Sequence, residues 1–190
     1  MMTAVAIAKS EFILGGQKCG KSRRAETLAR AWLDQSDTHR AALIATAQPW
    51  DDEMRQRISR HQADRAERVP GMSTVEEPLA LAEAVQQHSR PDTLVVVDCL
   101  TLWLTNLLMP AEPVAQVKPA LIAPLLIAIQ NATGPIALVG NEIGLGVIPL
   151  GRDVRAFVDA LGRLNQDVAA TCQRVTLMAA GLPLTLKDVV

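Results

Sequence analysis

Residues 15 to 22 read Gly15-Gly16-Gln17-Lys18-Cys19-Gly20-Lys21-Ser22, a complete G-x-x-x-x-G-K-S run that directly follows an apolar stretch and directly precedes a segment of helical period. The order has a chemical reason. Glycines let successive backbone N–H groups turn inward as an anion nest, and the helix N-terminus adds positive potential. Lys21 then reaches the outer phosphates, and Ser22 offers a hydroxyl to Mg²⁺. A chance glycine-rich cap would not require strand, loop and helix to agree. The run therefore predicts a bound nucleoside triphosphate, ATP or GTP, with Mg²⁺, cradled by Gly15 through Ser22. It does not distinguish a kinase from a motor or a switch.

Beyond this loop, apolar runs of strand length alternate with helical segments, the pattern of βαβ units around a mostly parallel sheet. Five runs stand out: 11–14, 42–46, 94–98, 136–139 and 175–179, with 184–186 as a further edge strand. Helices are expected near 21–35, 51–67, 79–87, 119–130 and 154–171. Residues 109–119 hold three prolines and little periodicity, and read as a loop within one domain spanning 1–190. The fold class expected is α/β: a P-loop NTPase with a RecA-like three-layer sandwich and a mostly parallel central sheet.

Composition removes several alternatives. At 190 residues with 49% hydrophobic and 21% charged, the chain can bury a core. A net charge of −1 supplies no field for nucleic acid or an anionic membrane, so a polyanionic ligand must be held locally. Aromatics at 3%, with no tyrosine, leave no base-stacking platform. Cys19, Cys99 and Cys172 are too widely spaced for a disulfide framework or a CxxC metal site, and suit a reducing compartment. The stretch Met1 to Ala8 lacks the basic head of a secretory signal, and 94–109 is too polar to span a bilayer. A cytoplasmic protein without nucleic-acid partners is expected.

Two further features carry chemistry. Asp98 closes the run Val95-Val96-Val97 at the C-terminal end of a strand, where a phosphate-loop protein needs a second carboxylate for its metal. On the segment after Asp51, Arg57, His61 and Arg65 recur at i, i+4 and i+8, which sets an imidazole between two guanidiniums on one helix face, with Asp64 three residues from the histidine. Histidine can attack phosphorus and hold the group covalently while flanking arginines steady the oxygens. On spacing alone, a solvated amphipathic helix explains the same face as well.

Together these blocks resemble one family, the bifunctional adenosylcobinamide kinase and adenosylcobinamide-phosphate guanylyltransferase of cobalamin biosynthesis. The resemblance runs nearly end to end. It includes the phosphate loop with Arg23, Ala25 and Glu26, then Ala45-Thr46-Ala47, and Asp52-Glu53-Met54 leading to Arg57-Ile58 and His61. It continues through Asp98-Cys99-Leu100-Thr101 with Thr105-Asn106, Asn141-Glu142 with Gly144 and Gly146, Gly162-Arg163 with Asn165-Gln166, and Gly181-Leu182-Pro183. The resemblance implies phosphorylation of the terminal hydroxyl of adenosylcobinamide, then GMP transfer from GTP onto that phosphate through a GMP-histidine. By this carry-over, His61 is the nucleophile and Lys21 a catalytic cation. Ala45, Thr46, Ala47, Gln62, Ala63, Asp64, Arg65, Glu76 and Asp98 line the nucleotide site, and Ser22 and Asp98 hold the metal. The family also implies a corrinoid substrate and a homotrimer.

Overall fold

The computed structural model describes residues 6–109, 121–146 and 148–189. The expected loop over 109–119 lies, beyond Met109, outside the described residues, as do Met1 to Val5 of the N-terminal stretch. The elements run β1 (Ser10–Gly15), α1 (Lys21–Leu33), β2 (Arg40–Ala45), α2 (Asp52–Arg68), β3 (Ser73–Glu76), α3 (Leu81–His88) and β4 (Thr93–Asp98). They continue as α4 (Leu100–Leu108), α5 (Ile122–Gln130), β5 (Ile136–Val139), α6 (Arg152–Thr171), β6 (Arg174–Ala179) and β7 (Leu182–Asp188).

The strands form one seven-stranded sheet in the order β3-β2-β4-β5-β1-β6-β7, parallel except for β7, which pairs antiparallel with β6. Strand side chains alternate between two apolar layers, as a strand buried on both faces must. Phe12, Ile44, Val95, Val97 and Leu138 point toward α3, α4, α5 and α6, where Leu81, Trp103, Leu125 and Leu164 complete one core. Ile13, Leu43, Leu94, Val96 and Val139 point the other way, toward Ala25, Leu28 and Ala29 of α1, and Val69 at the end of α2 closes that layer. This is the three-layer α/β architecture expected. No described helix is long and apolar enough to cross a membrane.

Three elements depart from the sequence expectation. The short strand β3 is missing from the expected set because it is an edge strand whose residues are mostly exposed, so no apolar run marks it. Helix α4 is also missing from it, although Leu100, Trp103, Leu104 and Leu107 follow a helical spacing and are all buried. Strand β7 is longer than 184–186, and Leu182, Leu184 and Leu186 of that edge are exposed. His39 stacks on Trp32 with ring centroids 3.7 Å apart and is half-buried.

Candidate functional site

The phosphate loop leaves β1 at Gly15, whose φ is 149°. A Cβ there would sit 2.5 Å from both Cys19 Sγ and the Met178 carbonyl oxygen, so only glycine fits. Replacing Gly15 by alanine is expected to destabilise the chain by roughly 1–3 kcal/mol and to weaken nucleotide binding. At Gly16, where an added Cβ meets nothing, the same change should move stability by less than about 0.5 kcal/mol. Thermal unfolding of the two variants, with a GTP titration of the first, checks this pair.

The loop ends on Gly20, and α1 starts without a side-chain cap or an acidic residue in its first turn. Its leading N–H groups are thus left to an anion. Lys21 is buried along its length, and its ammonium donates to the Gly16 carbonyl at 2.5 Å, folded back over the loop. Two distant segments brace the loop from behind: Gly181 N–H donates to the Cys19 carbonyl at 3.0 Å, and Glu142 N–H to the Gly15 carbonyl at 3.1 Å. Both residues belong to blocks that the sequence flagged without assigning them a structural role.

Register places the carboxylates. Ala45 at the end of β2 pairs with Glu76 of β3 on one side and with Asp98 of β4 on the other. Two strand spacings separate Glu76 from Asp98, about 10 Å between Cα atoms. All three sit at the C-terminal edge of the sheet, where open α/β sheets bind ligands. Beside them opens a cleft of about 300 Å³ that gathers Ser22, Ala45, Ala47, Glu76 and Asp98 from the sheet side and Arg57, His61, Gln62 and Arg65 from α2. The i, i+4, i+8 face of α2 therefore does look into a cavity, next to the phosphate loop. Met54, Ile58, Leu43 and Leu102 add apolar walls, and sequence reasoning assigned none of these a role.

Of the phosphate loop only Ser22 lines this cleft, with Gly15 through Lys21 lying beside it, and three of the expected residues outside the loop do not line it. Thr46 is fully buried: its hydroxyl donates to the Cys99 carbonyl at 2.7 Å and accepts from Cys99 N–H at 2.9 Å, clamping the chain just after Asp98. Its own carbonyl accepts from the buried Asn106 amide, which also binds the Pro78 carbonyl and so ties the ends of β2 and β3 together. Asp64 is committed to Arg68 at 3.2 Å rather than to the imidazole. Ala63 is exposed on α2 away from the cleft.

Helix α2 contains no buried residue. Asp51 caps it through Met54 N–H at 2.7 Å, and Arg68 fastens its far end to Glu26 of α1 at 3.0 Å. The basic face is therefore carried on a helix held mainly at its ends. Cys99, at the cleft wall, is pushed up to about 12 by burial and by the adjacent Asp98, so its thiol stays neutral. Burial likewise pushes Cys172 up to about 12.

The donor set for a cation is one hydroxyl and one or two carboxylates, all hard oxygens, and no cluster of three or more His, Cys, Asp or Glu exists among the described residues. That composition fits Mg²⁺, which binds through one or two protein oxygens and completes its shell with substrate phosphates and water.

Comparison with known proteins identifies the family and the fold. The family described as cobinamide kinase / cobinamide phosphate guanyltransferase matches residues 11–186. A protein of Pseudomonas aeruginosa named bifunctional adenosylcobalamin biosynthesis protein CobP is 45% identical over 177 residues, covering 93% of this chain and 96% of that one. The Escherichia coli protein named bifunctional adenosylcobalamin biosynthesis protein CobU is 35% identical over 186 residues, covering 92% and 98%. In fold, the chain resembles the flagellar accessory protein FlaH of Methanocaldococcus jannaschii, with a TM-score of 0.53 at 12% identity over 96% of this chain and 80% of that one.

Proposed function

Since the chain belongs to the cobinamide kinase / cobinamide phosphate guanyltransferase family, we propose that it phosphorylates the terminal hydroxyl of adenosylcobinamide with ATP or GTP. It then transfers GMP from GTP to the resulting phosphate through a GMP-His61 phosphoramidate. The product is adenosyl-GDP-cobinamide. The whole chain, 1–190, acts as one catalytic domain in the cytoplasm. Self-association, a homotrimer by the resemblance, would cover apolar surface such as Leu182, Leu184 and Leu186.

The observation that carries this reading is the shared cleft: His61, flanked by Arg57 and Arg65, opens onto the same cavity as Ser22 and Asp98 beside the phosphate loop. Both reactions displace a group at phosphorus, so one cradle can serve both. In the first, the alcohol oxygen attacks the terminal phosphorus. In the second, a ring nitrogen of His61 attacks the α-phosphorus and pyrophosphate leaves. Arg57 and Arg65 neutralise the oxygens of the transferred group, Lys21 holds the outer phosphates, and Glu76 and Gln62 border the nucleotide. Ser22 and Asp98 would hold Mg²⁺, which would supply charge neutralisation on the phosphates.

The test is to mix the protein with Mg²⁺ and GTP labelled at the α-phosphate. The expected result is an acid-labile, alkali-stable adduct that adenosylcobinamide phosphate discharges. If GTP binds and no adduct forms, the covalent mechanism fails for this chain.

A further inference from the structure

Strand β5 lies between β1 and β4, so the residues that follow it stand between the phosphate loop and the strand of Asp98. They are Asn141 and Glu142, and the backbone fixes both: Asn141 N–H donates to Thr101 Oγ1 at 2.9 Å, and Glu142 N–H donates to the Gly15 carbonyl at 3.1 Å. The Glu142 carboxylate is also held. Its Oε1 accepts from Gly144 N–H at 2.9 Å, and its Oε2 from the Asn165 amide at 3.4 Å. The same amide donates to the Asn141 carbonyl at 3.1 Å.

Asn165 is 5% exposed, and its Oδ1 is buried without any hydrogen-bond partner. A buried orphan acceptor is a standing cost that an apolar residue would avoid. Its presence makes sense if the amide has a task, and two are visible here: it holds the Asn141 carbonyl and it aims the Glu142 carboxylate. Glu142 and Asn165 are not among the residues that line the His61 cleft; Asn165 belongs to α6, in the helix layer on the opposite face of the sheet from α1.

We infer that Glu142 is the catalytic base of the phosphoryl transfer, and Asn165 its positioning residue. The inference rests on the kinase reading above. A carboxylate has about four lone-pair sites, and two are occupied here, which leaves room for a substrate hydroxyl. As the alcohol oxygen bonds to the terminal phosphorus, its proton passes to Glu142. The bond from that phosphorus to the bridging oxygen breaks, and its electron pair leaves with the nucleoside diphosphate. Two separate groups then serve the two reactions: His61 for the guanylyl group, Glu142 for the alcohol.

The experiment measures transfer of γ-labelled phosphate to adenosylcobinamide by the full chain. Glu142→Gln should lower kcat by about 10²-fold or more with the nucleotide KM shifted less than about threefold, and Glu142→Asp should recover part of the loss. Asn165→Leu should lower kcat by about tenfold with the nucleotide KM likewise retained, because Glu142 is left unaimed. A Glu142→Gln kcat within about threefold of the wild type overturns the role of Glu142 while leaving the kinase reading intact. So does a parallel collapse of nucleotide affinity, because the carboxylate would then serve nucleotide binding rather than proton transfer; the Gly15 brace is a backbone bond that the substitution leaves in place. A wild-type chain that transfers no phosphate to adenosylcobinamide overturns the kinase reading itself.

Discussion

Replacing His61 by alanine is expected to remove the GMP adduct altogether and to lower guanylyl transfer by on the order of 10⁴-fold or more, the scale on which enzymes lose rate with their nucleophile. Phosphorylation of adenosylcobinamide should persist within about threefold, because Lys21 and Ser22, with Asp98 at the end of β4, are untouched. The fold makes this a clean comparison. Helix α2 has no buried residue and His61 is exposed on it, so truncation leaves no cavity. Alanine also has the better helix propensity, and stability should shift by less than about 0.5 kcal/mol. Parallel assays of adduct formation, phosphoryl transfer and thermal unfolding check it. Equal loss of both activities would mean that His61 acts by organising the nucleotide rather than by attacking it.

The largest stability effect is expected at Glu11, a residue on no reactive surface. Its carboxylate is almost wholly buried on β1 and meets Arg24 of α1 at 3.1 Å, Arg174 of β6 at 3.6 Å and the Thr176 hydroxyl at 2.9 Å. Arg174 continues to Asp188 of β7 at 3.1 Å, so one chain of charges ties the phosphate-loop helix to both edges of the β6–β7 hairpin. Truncation to alanine leaves the half-buried Arg24 without its carboxylate and the buried Arg174 with Asp188 as its one acidic partner, and breaking a buried pair from one side costs about 3–5 kcal/mol. Against a total stability of roughly 5–15 kcal/mol, that predicts a fall in Tm on the order of 10 °C. Because Arg24 lies in the first turns of α1, nucleotide binding should weaken as well. The double variant Glu11→Ala with Arg24→Ala should lose less than the sum of the two single changes, since the second removes a charge the first left unpaired. Additive losses, or a Glu11→Ala cost below about 1 kcal/mol, would show that the network is solvated rather than buried.

The sequence expectation treated Glu11 as one more residue of an apolar run, and it had no means of doing otherwise. Its partners lie 13, 163 and 165 residues away in the chain. The same limit explains Thr46, which stood in the expected nucleotide-lining set and instead clamps Cys99 from 53 residues away. Asp64 is the converse case: its spacing from His61 is right for contact, yet Arg68 at i+4 takes it first.

Where local pattern and tertiary environment coincide, the reading held closely. The phosphate loop needs only its own glycines, one strand and one helix, and all are contiguous between Ser10 and Leu33. The five buried strands announce themselves because both faces are apolar. The face of Arg57, His61 and Arg65 follows from helical period alone, since Asp51 caps α2 and nothing along it bends the chain. Edge strand β3 escaped because an edge does not need to be apolar, and the exposed Glu76 shows no pattern until register sets it beside Ala45.

The amino-acid order by itself thus determined the phosphate cradle, the layered α/β class and the basic helical face, each of which rests on spacings shorter than a helix and a strand. Only the tertiary structure decided which way that face looks and which carboxylates stand across from it. It also decided that Glu142 and Gly181 reach back to hold the loop. Those relations depend on strand order, and the order β3-β2-β4-β5-β1-β6-β7 is set by long-range pairing that no local window of residues encodes.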